Sequence, residues 1–189
     1  VHERRWVMAA ASVAAASIAS PLLAQSAGDR LLGIDVSDWQ GTINWTSVHK
    51  PVAQGGGGKD FTFIRASRGG TTGTYNENAG TGTLSQRYDD LTFQSNITSA
   101  TAAGMFAGAY HFARPDITTN TGTDEANHFL QDAGPWMKPG YLLPVLDLET
   151  GQSQRTSAQL SQFAVDFANR IKTVIGVYPL VYINQNYAN

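Results

Sequence analysis

Leu142-Leu143-Pro144-Val145-Leu146-Asp147-Leu148-Glu149 is an apolar run that ends in two carboxylates spaced two residues apart. In a β-strand, residues i and i+2 point to the same side. At a rise of about 3.3 Å per residue, the pair stands roughly 6–7 Å apart along the backbone, at the tip of a buried strand. Two carboxyl groups so placed suit hydrolysis of a glycosidic bond. One gives a proton to the leaving oxygen and the other works at the sugar carbon. The competing reading is a strand that runs out into solvent with two ordinary surface acids at its end.

The same apolar character recurs along the chain. Residues 31–36, 61–66, 105–112 and 178–183 read as further strands. Between them lie helical patterns. Residues 44–53 suggest a short helix, with Pro51 near its end. Residues 89–103 carry Phe93, Ile97 and Ala100 at helical spacing, and Gly104 closes them as a C-cap. Residues 124–131 follow an N-cap at Thr123 or Asp124. Residues 157–173 place Leu160, Phe163, Ala164, Phe167 and Ile171 on one face of an amphipathic helix. Residues 67–88 are too rich in Gly, Thr and Asn for regular structure.

Alternating strands and helices predict a parallel sheet with right-handed crossovers. The polar residues collect at strand ends: Asp35, Arg65, His111, Asp147 and Glu149. A barrel built from βα units places its active site there. Five strands in roughly 160 residues do not close an eight-stranded barrel, which takes about 200–250. The expectation is therefore a TIM-like α/β barrel whose C-terminal strands are missing from this chain. The alternative is an open, doubly wound sheet complete at five strands.

The chain of 189 residues suits one domain plus extras, and 42% hydrophobic content fits a globular protein. A formal charge of -2 offers no basic field for nucleic acid. The absence of cysteine excludes disulfides, thiolate chemistry and cysteine-ligated zinc. The histidines His2, His49, His111 and His128 are scattered, and no metal or cofactor is expected. Arg4-Arg5, an Ala/Ser-rich apolar stretch and a small residue at Ala24 describe a secretory signal peptide over residues 1–24. The alternative, an uncleaved anchor, is short and Ala-rich for a span of about 20 apolar residues. Residues 25–30 are then a short linker, and residues 31–189 a C-terminally incomplete catalytic domain. The expected product is a secreted or extracytoplasmic monomer with no lasting membrane insertion.

Gly33-Ile34-Asp35-Val36-Ser37-Asp38-Trp39-Gln40-Gly41 followed by Ile43-Asn44-Trp45 resembles the opening signature of glycoside hydrolase family 25 lysozymes. Phe63-Ile64-Arg65-Ala66-Ser67-Arg68-Gly69 is similar to the family's next motif. Asp89, Phe93, Asn96, Ala103-Gly104 and Gly108 to Pro115 continue the likeness in order. Pro144 to Glu149 and Pro179-Leu180-Val181-Tyr182 complete it. The resemblance implies a flattened barrel of the β5α5β3 type with mixed strand direction. It implies cleavage of the β-1,4 link between N-acetylmuramic acid and N-acetylglucosamine, with peptidoglycan glycan strands as partner. It places catalytic acids at Asp35, Asp147 and Glu149. A further family aspartate near the last strand has no counterpart here, because the chain ends first.

Glu149 is the candidate general acid. Such a group must hold a proton near neutral pH, through apolar walls or a neighbouring negative charge, and Asp147 is placed to supply that charge. Asp147 either attacks the sugar or orients the substrate's 2-acetamido group, and the spacing leaves both open. The acetamide on the implied substrate favours the second. Asp35 either shares the pocket floor or caps the turn at Ser37 and Asp38. Arg65 is the candidate for binding a substrate carboxylate or tuning the acids. Tyr110 and Phe112 alternate on their strand as cleft walls, and Tyr182 lines the cleft from the next. His111 points to the opposite face as a structural histidine. Trp39 and Trp45 are expected to pack rather than serve as sugar platforms, and Gln40 to organise the loop after the first strand rather than bond a sugar.

Two rivals stand beside a muramidase. A family 18-like chitinase barrel would want a D-x-x-D-x-D-x-E run, but Leu143 and Val145 occupy its earlier same-face positions. A non-catalytic glycan-binding barrel would have lost its carboxylates, and all three are present. A metal-dependent hydrolase would call for clustered histidines.

Overall fold

A computed structural model describes residues 30–71 and 87–185. The expected signal peptide and residues 72–86 of the polar stretch lie outside the described residues. The strands are β1 (Gly33–Val36), β2 (Phe61–Arg68), β3 (Tyr88–Asp89), β4 (Phe106–Phe112), β5 (Val145–Leu148) and β6 (Leu180–Ile183). The helices are α1 (Trp45–His49), α2 (Phe93–Ala102), α3 (Gly122–Ala133) and α4 (Ser157–Ile175).

The sheet order is β1-β2-β4-β5-β6, with every pair parallel. One helix lies in each connection, as crossover connections require. The result is an α/β half-barrel, a curled parallel sheet with helices packed against it. All five expected strands are present, with shifted ends. β5 starts only at Val145, since Pro144 has no N–H to give to a ladder.

β3 is an element that sequence reading did not foresee. It pairs antiparallel with the end of β2, Ser67 opposite Asp89 and Arg68 opposite Tyr88. The helix expected from residue 89 therefore begins only at Phe93. Asp90 turns the chain between the two, its Oδ1 accepting from Thr92 N at 3.0 Å and Thr92 Oγ1 at 2.7 Å. Gly104 closes α2 as expected, at φ +90°.

The two faces of the sheet bury different sets. Ile64, Ala66, Ala109, Leu146 and Leu148 meet Phe93, Ile97, Phe129, Phe163, Phe167 and Ile171 of the helices. Phe61, Phe63, Tyr110 and Val145 cluster on the other, inner face, with Phe112, Leu142, Leu180 and Tyr182 packed around them. α3 and α4 approach closely at Gly122, where a Cβ would collide with the Phe163 carbonyl oxygen. α4 starts on a reciprocal cap between Thr156 and Gln159 and stops at Gly176, φ +84°. None of the described helices is long and apolar enough to cross a membrane.

One irregularity governs which side chains reach the inner face. β2 and β4 pair residue for residue up to Arg65 and Tyr110, and the next pair is Ser67 with His111. Ala66 is thus the extra residue of a β-bulge. Before it, Phe61 and Phe63 point inward; after it, the parity flips. Ser67 faces the helices, its Oγ 2.9 Å from His111 Nδ1. Arg68 faces inward, its guanidinium carbon 5.5 Å from the centre of the Phe112 ring.

Candidate active site

A cavity of about 670 Å³ opens where the parallel strands end, and Asp35, Arg65, Arg68, Tyr110, Phe112 and Asp147 contribute to its lining. Register explains the convergence. Phe112 of β4 is the direct partner of Asp147 of β5, and Arg65 of β2 that of Tyr110. Asp35 pairs with Phe63, one inward step before Arg65. Five of the seven expected site residues therefore line one cavity.

The other two stand beside it. Tyr182 is the register partner of Asp147 on β6 and packs against the inner aromatic cluster, outside the cavity lining. Glu149 is the first residue after β5 and half-buried, and it too is outside the lining set. Its main-chain oxygen accepts from Asn184 Nδ2 at 2.9 Å, which ties the exit of β5 to the exit of β6.

Asp147 is buried at the cavity wall, and its main-chain oxygen accepts from Ala113 N at 2.9 Å. Tyr110 lies between the acids. Burial pushes its phenol well above the usual range; the Arg65 cation opposes this, and the Asp35 and Asp147 carboxylates add to it. Tyr110 is thus a neutral hydroxyl bordered by two carboxylates.

Arg65 is buried and held on two sides. Its Nε lies 3.1 Å from Asp90 Oδ2, and its Nη2 pairs with Asp38. The guanidinium also sits 5.0 Å from the centre of the Tyr88 ring, and the Tyr88 hydroxyl donates to Asp38. Burial, reinforced by that hydrogen bond, raises the Tyr88 phenol. Asp90 Oδ2 accepts from Asp38 N as well, at 3.0 Å. One carboxylate therefore joins the turn after β1, the middle of β2 and the start of α2. Arg65 brings charge to the cavity wall from a fixed mount.

The turn after β1 is organised by Gln40, as expected: Gln40 Oε1 accepts from Ser37 N at 2.7 Å. Trp45 packs inside as expected, its indole N–H 3.2 Å from Asn96 Oδ1. Trp39 does not; it is 72% exposed and lines the cavity.

His111 sits on the helix face, as anticipated. Its Nε2 lies 3.0 Å from Glu125 Oε2, and both side chains are fully buried. Burial holds this histidine below its ordinary range, against the Glu125 hydrogen bond. Nearby His128 behaves oppositely. Burial would lower it, but hydrogen bonds to Asp132 and the Gly69 carbonyl outweigh that and raise it. Asp89, His128 and Asp132 bring possible ligand atoms within 4.8 Å of one another. Arg87 already ion-pairs with both carboxylates, at 2.7 Å to Asp89 and 3.4 Å to Asp132. The group is a charged clasp between β3 and α3, filled by protein cations.

Arg68, Asp38, Tyr88, Asp90 and Trp39 are the residues around the site that sequence reasoning missed. Arg68 is hidden by the bulge, and the Asp38–Asp90 contact spans 52 residues. Trp39 had a signal, since it lies in the short loop just after the strand that ends in Asp35.

The Glycosyl hydrolases family 25 sequence model matches residues 34–189. The chain is 36% identical over 146 residues to Lysozyme M1 of Streptomyces globisporus, covering 74% of this chain and 42% of that protein. It is 30% identical over 164 residues to the N,O-diacetylmuramidase of Chalaropsis sp, covering 82% and 66%. Among solved structures, the bacterial lysozyme from Streptomyces coelicolor superposes with a TM-score of 0.65 at 32% identity, covering 83% of this chain and 64% of that one. A family GH25 lysozyme from Aspergillus fumigatus gives 0.64 at 28%, covering 83% and 66%. This chain thus spans 42% of the Streptomyces globisporus protein and about two thirds of the others. With the family pattern matched from the first strand onward, the chain belongs to the family 25 glycosyl hydrolases.

Proposed function

We propose that this protein is a secreted peptidoglycan hydrolase, a lysozyme of the 1,4-β-N-acetylmuramidase type, cutting between N-acetylmuramic acid and N-acetylglucosamine. The observation that carries the reading is one cavity at the strand ends holding Asp35 and Asp147 around a buried Tyr110. Family membership and relatives named lysozyme and muramidase support it.

Glu149 is the general acid in this reading, two residues beyond Asp147 and just past the end of β5. Asp147 acts as nucleophile or holds the substrate's acetamido group in line. Asp35 adds negative charge opposite, where an oxocarbenium-like transition state develops positive charge. Tyr110 and Phe112 form the wall against the sugar, Tyr182 extends it, and Arg65 contributes its cation to substrate carboxylates or to the acids. The half-barrel corresponds to part of a flattened β5α5β3 barrel. Export through a signal peptide and action as a monomer on glycan strands complete the proposal.

The test supplies the full-length protein with purified peptidoglycan, chitin oligomers and EDTA in turn. New reducing-end muramic acid is the expected product, unaffected by EDTA. Glu149→Gln is expected to lose activity with the fold intact. Normal turnover by that variant, or chitin as the only substrate cut, overturns the reading.

A further inference from the structure

Trp39 is the most exposed large aromatic side chain among the described residues, at 72%, although Trp45, six positions on, is buried at 4%. Water-exposed indole surface is unfavourable to maintain, and here it is not scattered at random. Trp39 lines the same cavity as Asp35, Tyr110, Phe112 and Asp147.

The backbone that carries it is pinned on both sides. Trp39 is the middle residue of a single 3-10 turn, Asp38–Gln40. Ser37 and Gln40 cap each other before and after it, and Ser37 Oγ accepts from Trp39 N at 3.4 Å. Asp38 is held through its N–H by Asp90 and through its carboxylate by Arg65 and Tyr88. Gly41 N closes the turn on Asp38 O at 2.9 Å. An indole displayed on so fixed a backbone suits a flat, partly apolar ligand, since only the side chain is left to order on binding.

A pyranose ring is such a ligand. Its C–H-rich face meets the negative face of the indole, while its hydroxyl and acetamido groups stay in water or reach the polar cavity. We infer that Trp39 is a stacking platform for an N-acetylhexosamine ring of the glycan strand, at a subsite beside the one where the bond is cut. The inference rests on the proposed glycan-cleaving function and adds a specificity residue to that site. Binding held away from the reacting carbon positions a long polymer without touching the chemistry.

The test uses the full-length protein, Trp39→Ala and Trp39→Tyr, with a soluble MurNAc/GlcNAc tetrasaccharide as probe. Cleavage kinetics are read together with ligand-induced change in tryptophan fluorescence. The expected result is a KM raised about three- to tenfold in Trp39→Ala with kcat within about twofold, largely restored in Trp39→Tyr. The fluorescence change is expected in the wild type and lost in both variants. Equal KM for wild type and Trp39→Ala, with cleavage intact, overturns the platform and leaves the hydrolase standing. Binding and a Trp39-dependent signal without cleavage uphold the platform and overturn the hydrolase. Neither binding nor cleavage overturns both.

Discussion

Phe112 and Asp147 are side-by-side register partners on adjacent parallel strands, so the aromatic wall and the acid of the cavity are set by one pairing. Ala113 N extends that pairing with a hydrogen bond to Asp147 O. Asp147→Asn keeps this backbone geometry and removes only the charge. Under the proposed function, kcat should fall about 10²–10⁴-fold while the melting temperature stays near wild type. Steady-state kinetics on solubilised peptidoglycan, paired with a melting curve, checks it. An unchanged kcat would remove Asp147 from the reaction.

Arg65 is the cation between Asp38 and the fully buried side chain of Asp90. Arg65→Met leaves those carboxylates without it, at a cost of about 3–5 kcal/mol. Adding Asp90→Asn should recover part of the loss, because the stranded charge goes too. Urea unfolding of both single variants and the double measures the coupling. Strict additivity would mean that the pair contributes nothing.

Trp45→Phe removes the donor to the buried Asn96 carbonyl while preserving an aromatic ring. A loss of about 1–3 kcal/mol is expected from the uncompensated acceptor. Equilibrium denaturation reads this directly, and an added Asn96→Leu should reduce the deficit.

The two buried histidines on the helix face respond to pH in opposite directions. His128 has a raised value in the folded protein, so the fold binds its proton more tightly than the unfolded chain does. Its contribution is full below the unfolded value of about 6.5 and fades as pH rises through the folded one. His111 is lowered, so its contribution is full above about 6.5 and is lost as pH falls towards the folded value. The destabilisation in His128→Gln should therefore shrink as pH rises above about 6.5, and that in His111→Gln should shrink as pH drops below about 6.5. Melting temperatures across pH decide both, and parallel profiles for the two variants would contradict the assignment.

Much of this was legible from the chain. Apolar strands alternating with amphipathic helices led to a parallel α/β sheet; strand-end acids led to Asp35 and Asp147, and alternation along one strand led to Tyr110 and Phe112, all four of which line one cavity, while Glu149 stands outside its lining. The misplaced start of α2 has a physical cause: Asp89 pairs with Ser67, a contact no local pattern announces. Trp39 was assigned to packing rather than to a sugar platform, because residue type carries no information about whether a turn aims a side chain inward or outward. Arg65 was read as a strand-end cation that binds a substrate carboxylate or tunes the acids; its two carboxylate partners come from 27 residues upstream and 25 downstream, contacts no local pattern announces.

The extra residue at Ala66 gives β2 two successive reading frames, one for Phe61 to Arg65 and another from Ser67 onward. Pairing the same residues without the bulge would fuse the frames and exchange two side chains at once. Arg68 would swing towards the helices, and the Ser67 hydroxyl would leave His111. Side-chain identity at position 66 can therefore drift among small residues, while the bulge itself decides that Arg68, and not Ser67, joins the wall.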